Sequence, residues 1–531
     1  MNHSALRTCC PALAALLLPG CLALMEPGPV AEATLTAPEA YRSASTGNQG
    51  KISTGWVASF RDRDLNRLVD EALEYNLDIQ EASANLEASN QTRKIARAAR
   101  LPSFGFSADA GRTTRGDGFL VEVEPEPEPA PAPAPTTTTT TVAPDGTTTT
   151  TTTSTPDTSM SMPSGSTGGS SSTGAMSLTS VDYGLSLQAS WELDLWGRLR
   201  DLDKAAEQDY IAALADFRGA RLSLAANTTV SWFDLIASRQ FVELAEATLS
   251  SYASNLRITE RNYKAGDDTA SALDVQFARN NVASAERALV RQRLVRDETA
   301  RTLEVLLGRY PSAELRSGDE LPPITKDIPA GLPSELLWRR PDLVAASADL
   351  RASARRANAA RKDLLPAITL TGRASTASTA LTNMLVDPEF IIWGAAASLA
   401  QTIYRGGAPS AEVRRALANN EAALRRFSSI ALRAFREVES ALATERSLVD
   451  QEKFLEVELR QASLAETQAA REYSEGIVGI LEILEAQRRA VDARSSMINL
   501  RNQRLQNRVD LHLALGGDFA TPPPDQEIVR N

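Results

Sequence analysis

The chain has 531 residues, room for roughly two to four ordinary domains. Its formal charge is −11, from 56 Lys and Arg against 67 Asp and Glu; that balance argues against nucleic acid as the main partner, because phosphate binding needs a basic footprint. It holds two His and three Cys (Cys9, Cys10 and Cys21). If the chain is cut before Cys21, one Cys and His512 remain. That set builds no disulfide, zinc finger or His-ligated metal site, and no cofactor is implied.

The N-terminus reads as a signal peptide over residues 1–20: Arg7 supplies a positive start, and the apolar run Ala12 to Leu18 is too short to span a bilayer. It ends in Leu18-Pro19-Gly20-Cys21, which resembles a bacterial lipoprotein processing box, in which the peptide is cut before Cys and the thiol is acylated. Acyl chains on Cys21 would hold the protein on a membrane, and residues 21–50 read as a tether. No later segment offers 18 apolar residues in a row, so any spanning falls to a β-barrel.

The rest of the chain is written twice. Leu77-Asp78-Ile79 and Leu101-Pro102 recur 264 residues later as Pro341-Asp342-Leu343 and Leu365-Pro366. Tyr263-Lys264-Ala265-Gly266 answers to Tyr473-Ser474-Glu475-Gly476, and Leu307-Gly308 to Leu515-Gly516. Such duplication predicts two structural repeats, residues 51–308 and 339–516, joined by a linker over 309–338 and followed by a disordered tail over 517–531.

In repeat 1, helical patterning runs from Asp64 to Arg100, and the period then drops to two. Strands are predicted at about 103–112 and 183–195, with Phe104, Phe106, Tyr183, Leu185, Leu187 and Trp191 on apolar faces. Between them, about 122–176 is low-complexity, with a Glu-Pro repeat, two Thr tracts and a Ser/Gly stretch. Disorder is expected there, at an exposed loop tip. A long helical hairpin follows over 199–308. Repeat 2 predicts strands at about 367–374 and 391–403 and a hairpin over 411–515. The longer helix of each hairpin, of roughly 60 residues, would be roughly 90 Å long at 1.5 Å per residue. Heptad-like seams are read at Ala206, Tyr210, Ala213, Phe217, Ala220 and Leu224, and at Leu424, Phe427, Ala431, Ala434, Val438 and Ala441.

Alternation of this kind suits either a strand crossing a membrane or a half-buried sheet in a soluble domain; the lipoprotein start favours the membrane. Four membrane strands leave two bare edges, which lipid does not tolerate, so the chain must assemble. Two copies would give eight strands and three would give twelve.

The ordered set of these features resembles the TolC-like outer-membrane factor family, in its lipoprotein branch that serves tripartite efflux pumps. Its marks are Trp56 and Phe60 before Leu65-Asn66-Arg67-Leu68, then Trp191-Glu192-Leu193-Asp194-Leu195-Trp196-Gly197-Arg198. Arg339-Arg340-Pro341-Asp342-Leu343 and the repeated Tyr–Gly turn complete it. The resemblance implies a mainly α fold with a membrane β-barrel, in which a homotrimer builds a twelve-stranded barrel and a long periplasmic α-helical tunnel. It implies a periplasmic adaptor and an inner-membrane RND-type pump as partners, in a Gram-negative outer membrane. The tips at Gly266 and Gly476 would meet the adaptor. Glu482 and Glu485 would form acidic rings at the aperture, raising their own pKa values by mutual repulsion. Asp274 and Tyr473 would hold the gate. Two departures stand out: the first tip is two residues longer than the second, and Val478 stands where some members have an arginine.

The function expected is a passive exit duct for small molecules such as drugs, without an active site. The alternative is a lipid-anchored periplasmic coiled-coil adaptor or scaffold that never spans the membrane, although two hairpins and four alternating runs are more than an adaptor needs. A hydrolase is disfavoured by the absence of any Gly-x-Ser-x-Gly, His-Glu-x-x-His or phosphate-loop motif.

Overall fold

The computed structural model describes residues 41–42, 55–115, 138–142, 148–152, 178–266, 271–324, 336–378 and 391–517. The signal peptide, Cys21, nearly all of the tether, most of the insert and the tail after Gly517 lie outside these residues. The chain forms two units: a helical one of residues 1–102, 191–370 and 397–531, and a strand unit of 103–190 and 371–396.

In the helical unit, the helical patterning read from Asp64 to Arg100 is divided between α1 (Arg63–Tyr75) and α2 (Leu77–Ala98). Asn76 divides them. Its backbone is extended, and its Oδ1 accepts the N–H groups of Asp78 and Ile79 at 2.9 and 3.2 Å. A side chain that satisfies two orphan donors makes a new helix start cheaper than continuation. The other helices are α3 (Arg198–Ala265), α4 (Ala272–Leu306), the single turn α5 (Leu336–Arg339), α6 (Pro341–Lys362), α7 (Ala408–Ser474) and α8 (Ile480–Ala514). The long members, α3 and α7, have 68 and 67 residues.

The duplication becomes physical where helices meet end to end. Asn76, at the start of α2, donates to the Leu306 carbonyl at the end of α4 at 3.0 Å. Its counterpart Arg340, at the start of α6, donates to the Ala514 carbonyl at the end of α8 at 3.1 Å. Each junction closes on a glycine in the left-handed region, Gly308 (φ +72°) and Gly516 (φ +84°). A Cβ there would lie 2.7 Å from the Tyr75 carbonyl oxygen and 2.6 Å from that of Arg339, respectively. Arg340 is buried, and its guanidinium also pairs with Asp342 and Glu437, each at 2.8 Å.

Two cores flank these junctions. One packs Trp56, Phe60, Leu65 and Leu68 against Trp232, Phe233, Leu303 and Leu307. Trp232 donates to Asp62 at 2.8 Å, so the carboxylate that caps α1 also fixes one of the two indole rings of the core. Each such large apolar side chain contributes about 1.5–3 kcal/mol on burial. The other core packs Leu336 and Leu343 against Phe427, Ala431, Ala434 and Val438. The α7 seam from Phe427 to Ala441 is buried at every predicted position except Leu424, which is half-buried. The α3 seam needs correction: Ala206 and Leu224 are buried but Tyr210, Ala213, Phe217 and Ala220 are only half-buried. The fully buried row instead includes Ala205, Ala212, Leu222, Thr229, Phe233 and Ile236. The cause is that α3 packs on α1, α2, α4, α6 and α8, so it buries a wide band where a coiled coil would bury one stripe.

The motif Trp191–Arg198 turns a strand into α3, and nearly every residue in it is engaged. Trp191 Nε1 donates to the Arg100 carbonyl at 2.9 Å, and Trp196 Nε1 to the Pro366 carbonyl at 2.7 Å. Arg198 grips Glu192 at 2.7 and 2.8 Å, and Asp194 accepts the N–H groups of Leu199 and Arg200. Buried Glu304, in the last turn of α4, accepts the N–H groups of Ala313, Glu314 and Leu315 of the expected linker at 2.7–3.1 Å, which orders the chain after α4.

The main sheet runs β1 (Ser103–Arg115), β4 (Leu178–Leu193), β5 (Ala367–Ser378) and β6 (Ile392–Ala400) in that spatial order. In the antiparallel β1–β4 ladder, Phe104 faces Ala189, Phe106 faces Leu187 and Ala108 faces Leu185, while Ser107 faces Ser186 with their hydroxyls 2.7 Å apart. The register therefore keeps apolar with apolar and polar with polar, and a slip of one residue would destroy both faces. Phe104, Phe106 and Trp393 are about 70–80% exposed. Inside the insert, β2 (Thr138–Val142) pairs with β3 (Thr148–Thr152). Those Thr tracts were expected to be disordered; β-branching favours the extended ladder they form.

Candidate functional site

The four hairpin helices end in two turns. At the first, Gly266 (φ +73°) stops α3, its N–H shared by the Asn262 and Tyr263 carbonyls. Ser271 then starts α4 through a reciprocal cap: its Oγ accepts the Asp274 N–H at 3.2 Å, while the Asp274 carboxylate accepts the Ser271 N–H at 2.8 Å. At the second, Gly476 (φ +74°) donates to the Tyr473 carbonyl and Ile477 to that of Glu472, the paired bonds of a Schellman stop. Each glycine thus serves as an ordinary helix stop, and positive φ is what the position demands.

Behind the second turn lies a small apolar cluster of Ala278, Tyr473, Ile480 and Ile483, joined by half-buried Val478. The valine in the arginine position therefore packs against this cluster as an apolar side chain. Tyr473 is buried, and its hydroxyl lies 2.6 Å from that of Thr259, which itself donates to the Asn255 carbonyl. Burial pushes the Tyr473 phenol up; the Thr259 hydrogen bond opposes this and the Asp274 carboxylate adds to it. Asp274 and Tyr473 are thus electrostatic neighbours, but no hydrogen bond joins them in this chain: Asp274 is held by Ser271 and Tyr473 by Thr259.

Sequence reasoning missed Gln487. It is buried, accepts from Asn255 Nδ2 at 2.8 Å and donates to Ser251 Oγ at 2.8 Å. Together with Thr259 and Tyr473 it pins α8 and the end of α7 to α3. The signal was present as Ser251, Asn255 and Thr259, small polar residues four apart on one helix face.

The two aperture acids are unlike each other. Glu482 is exposed in the first turn of α8, its Oε2 3.0 Å from where a Cβ on Gly479 would sit. Glu485 is paired with Arg488 at 2.9 Å and with Arg489 at 2.8 Å, and Arg488 reaches Asp492 at 3.2 Å. Hydrogen bonds from Arg489 and Arg488 hold the Glu485 carboxyl below its ordinary value. Within the single chain the Glu485 carboxyl is therefore lowered by the cations of its own helix; the rise expected from acid–acid repulsion belongs to rings that only an assembly of copies would form. His512, the one His that remains if the chain is cut before Cys21, is buried and stacked on Trp56 at 5.5 Å, within a core away from these turns. Cys21 lies outside the described residues.

The profile of a family described as outer membrane efflux protein matches residues 68–122, 150–309 and 332–517. The chain is 28% identical over 523 residues to the toluene efflux pump outer membrane protein TtgI of Pseudomonas putida, covering 96% of this chain and 98% of that one. It is 29% identical over 485 residues to outer membrane protein OprJ of Pseudomonas aeruginosa, covering 91% and 90%. Its fold matches the CmeC outer membrane channel of Campylobacter jejuni with a TM-score of 0.77 at 21% identity, over 95% of this chain and 97% of that one.

Proposed function

The chain belongs to the outer membrane efflux protein family, and from that premise we propose that three copies close their sheets into one twelve-stranded barrel and serve as a passive exit duct. The protein is an outer-membrane channel of an efflux system, as its relatives are. The observation that carries the trimeric reading is the sheet: two faces of opposite polarity and, at β1 and β6, two edges that pair with no other strand among the described residues. Unpaired backbone groups cost several kcal/mol each in lipid, so β1 of one copy pairs with β6 of the next. Eight strands fill their own interior with side chains; twelve leave a bore.

The finer assignments follow from the same reading. Acylated Cys21 anchors the chain. The turns at Gly266 and Gly476 face a periplasmic adaptor, which couples the duct to an inner-membrane RND-type pump. Rings of Glu482 and Glu485 line the aperture, and Asp274 and Tyr473 belong to its closed state. Opening untwists the α7–α8 hairpin from α3, a switch between two packings. The Tyr473–Thr259 and Gln487 bonds support this, since such a movement must break them.

The test is the mass of the detergent-extracted protein with its circular dichroism. A mass near three chains with a helix-dominated spectrum is expected. A single chain, monodisperse in water without detergent, overturns the proposal.

A further inference from the structure

Charge is unevenly placed along this chain. In the ten residues that adjoin each strand of the main sheet on its helix side (93–102, 194–203, 357–366 and 401–410), nine Lys and Arg stand against four Asp, although the whole chain carries −11. The four acids are engaged. Asp194 caps α3, Asp201 pairs with Lys362 at 2.6 Å, Asp203 with Arg100 at 2.7 Å, and Asp363 with Arg198 at 3.7 Å. Lys94, Arg97, Arg200 and Arg405 are exposed, and none of them forms a salt bridge with a described residue.

Helix dipoles account for Arg97 alone, in the last turn of α2. Arg200 sits in the first turn of α3 and Arg405 three residues ahead of α7, where a dipole disfavours a cation. What the four share is closeness to a strand end. The same zone exposes the rings of Trp196 and Tyr404, and the end of β4 exposes part of that of Trp191. Aromatic rings at strand ends with free cations just beyond them follow the order of a membrane boundary, from acyl chains through the interface to phosphates.

We propose that Lys94, Arg97, Arg200 and Arg405 form a collar that binds the headgroups of anionic phospholipids in the leaflet on the helix side of the membrane. This rests on the reading of the strands as membrane crossings. The collar fixes the depth at which the barrel sits, and it makes the assembled duct selective for its lipid neighbours.

The experiment uses the full-length protein, extracted and delipidated in neutral detergent, then titrated with phosphatidylglycerol, phosphatidylcholine or lipopolysaccharide in mixed micelles. Retained lipid and the thermal midpoint are read out. Retention of phosphatidylglycerol is expected to be roughly tenfold tighter than that of phosphatidylcholine and to weaken as salt is raised. The quadruple variant Lys94→Gln, Arg97→Gln, Arg200→Gln, Arg405→Gln should bind the two equally, with an unchanged helical spectrum. Equal retention by the unaltered protein, a preference indifferent to salt or surviving in the quadruple variant, or stronger retention of lipopolysaccharide than of phosphatidylglycerol overturns the proposal. Should the variant not fold, the salt series on the unaltered protein decides alone. Conductance of the same preparation in uncharged bilayers tests the duct separately: its absence defeats that reading while the lipid titration still stands.

Discussion

His512 shows how one side chain sets a pH limit. It stacks on Trp56, and neither ring nitrogen finds a hydrogen-bond partner among the described residues. Burial, with Arg508 nearby, pulls its pKa from 6.5 down to about 4. The unfolded chain therefore takes up a proton near pH 6.5 that the folded chain refuses until about pH 4. Stability from the neutral imidazole is complete above pH 6.5 and is lost as pH falls from there toward 4, by about 3 kcal/mol in all. The thermal midpoint should decline across that window, and His512→Phe should flatten the decline; an identical slope in the variant removes His512 as the cause. The sequence supplied the rarity of histidine but not its role. Only the packing of Trp56 and Phe60 around it shows that it fills a core.

Among the elements, the helices were legible because their apolar spacing is local, and the long hairpins begin and end within a few residues of where the pattern placed them. Their junctions were less so. The sequence marked Gly308 and Gly516 as equivalent, but the carbonyls that crowd them come from residues far away in the chain. Gly308→Ala and Gly516→Ala should each cost about 2–3 kcal/mol, from left-handed strain and the clash together. Gly266→Ala has the same φ sign but open space around it, and should cost only about 1 kcal/mol. Thermal midpoints of the three variants in detergent check the order. Equal losses would mean that φ alone matters and that the end-to-end contacts do not. The division at Asn76 was missed for a related reason: helical periodicity continues through it, and only the extended backbone reveals the cap.

At the scale of the molecule, rings of charge exist only once copies assemble. Glu485 is already matched by Arg488 and Arg489, whereas Glu482 forms no salt bridge with a described residue. In bilayer recordings, Glu482→Ala should therefore reduce cation preference by roughly two- to threefold, and Glu485→Ala should reduce it less. The reverse order would place Glu485 nearer the permeation path. Assembly is an expectation that four alternating strands already carry, because the argument about bare edges needs only a strand count.

By itself the sequence determined the duplication, the helix and strand periods, the two faces of the sheet and the membership of the outer membrane efflux protein family. These are properties of residues near one another, and neighbours in the chain are bound to be neighbours in space. The tertiary structure decided which polar side chains meet across helices: Gln487 with Asn255 and Ser251, Tyr473 with Thr259, Arg340 with the end of α8. Those partners lie 174 to 236 residues apart, and hydrogen bonds act over about 3 Å, so their pairing exists only after the fold has brought the helices together.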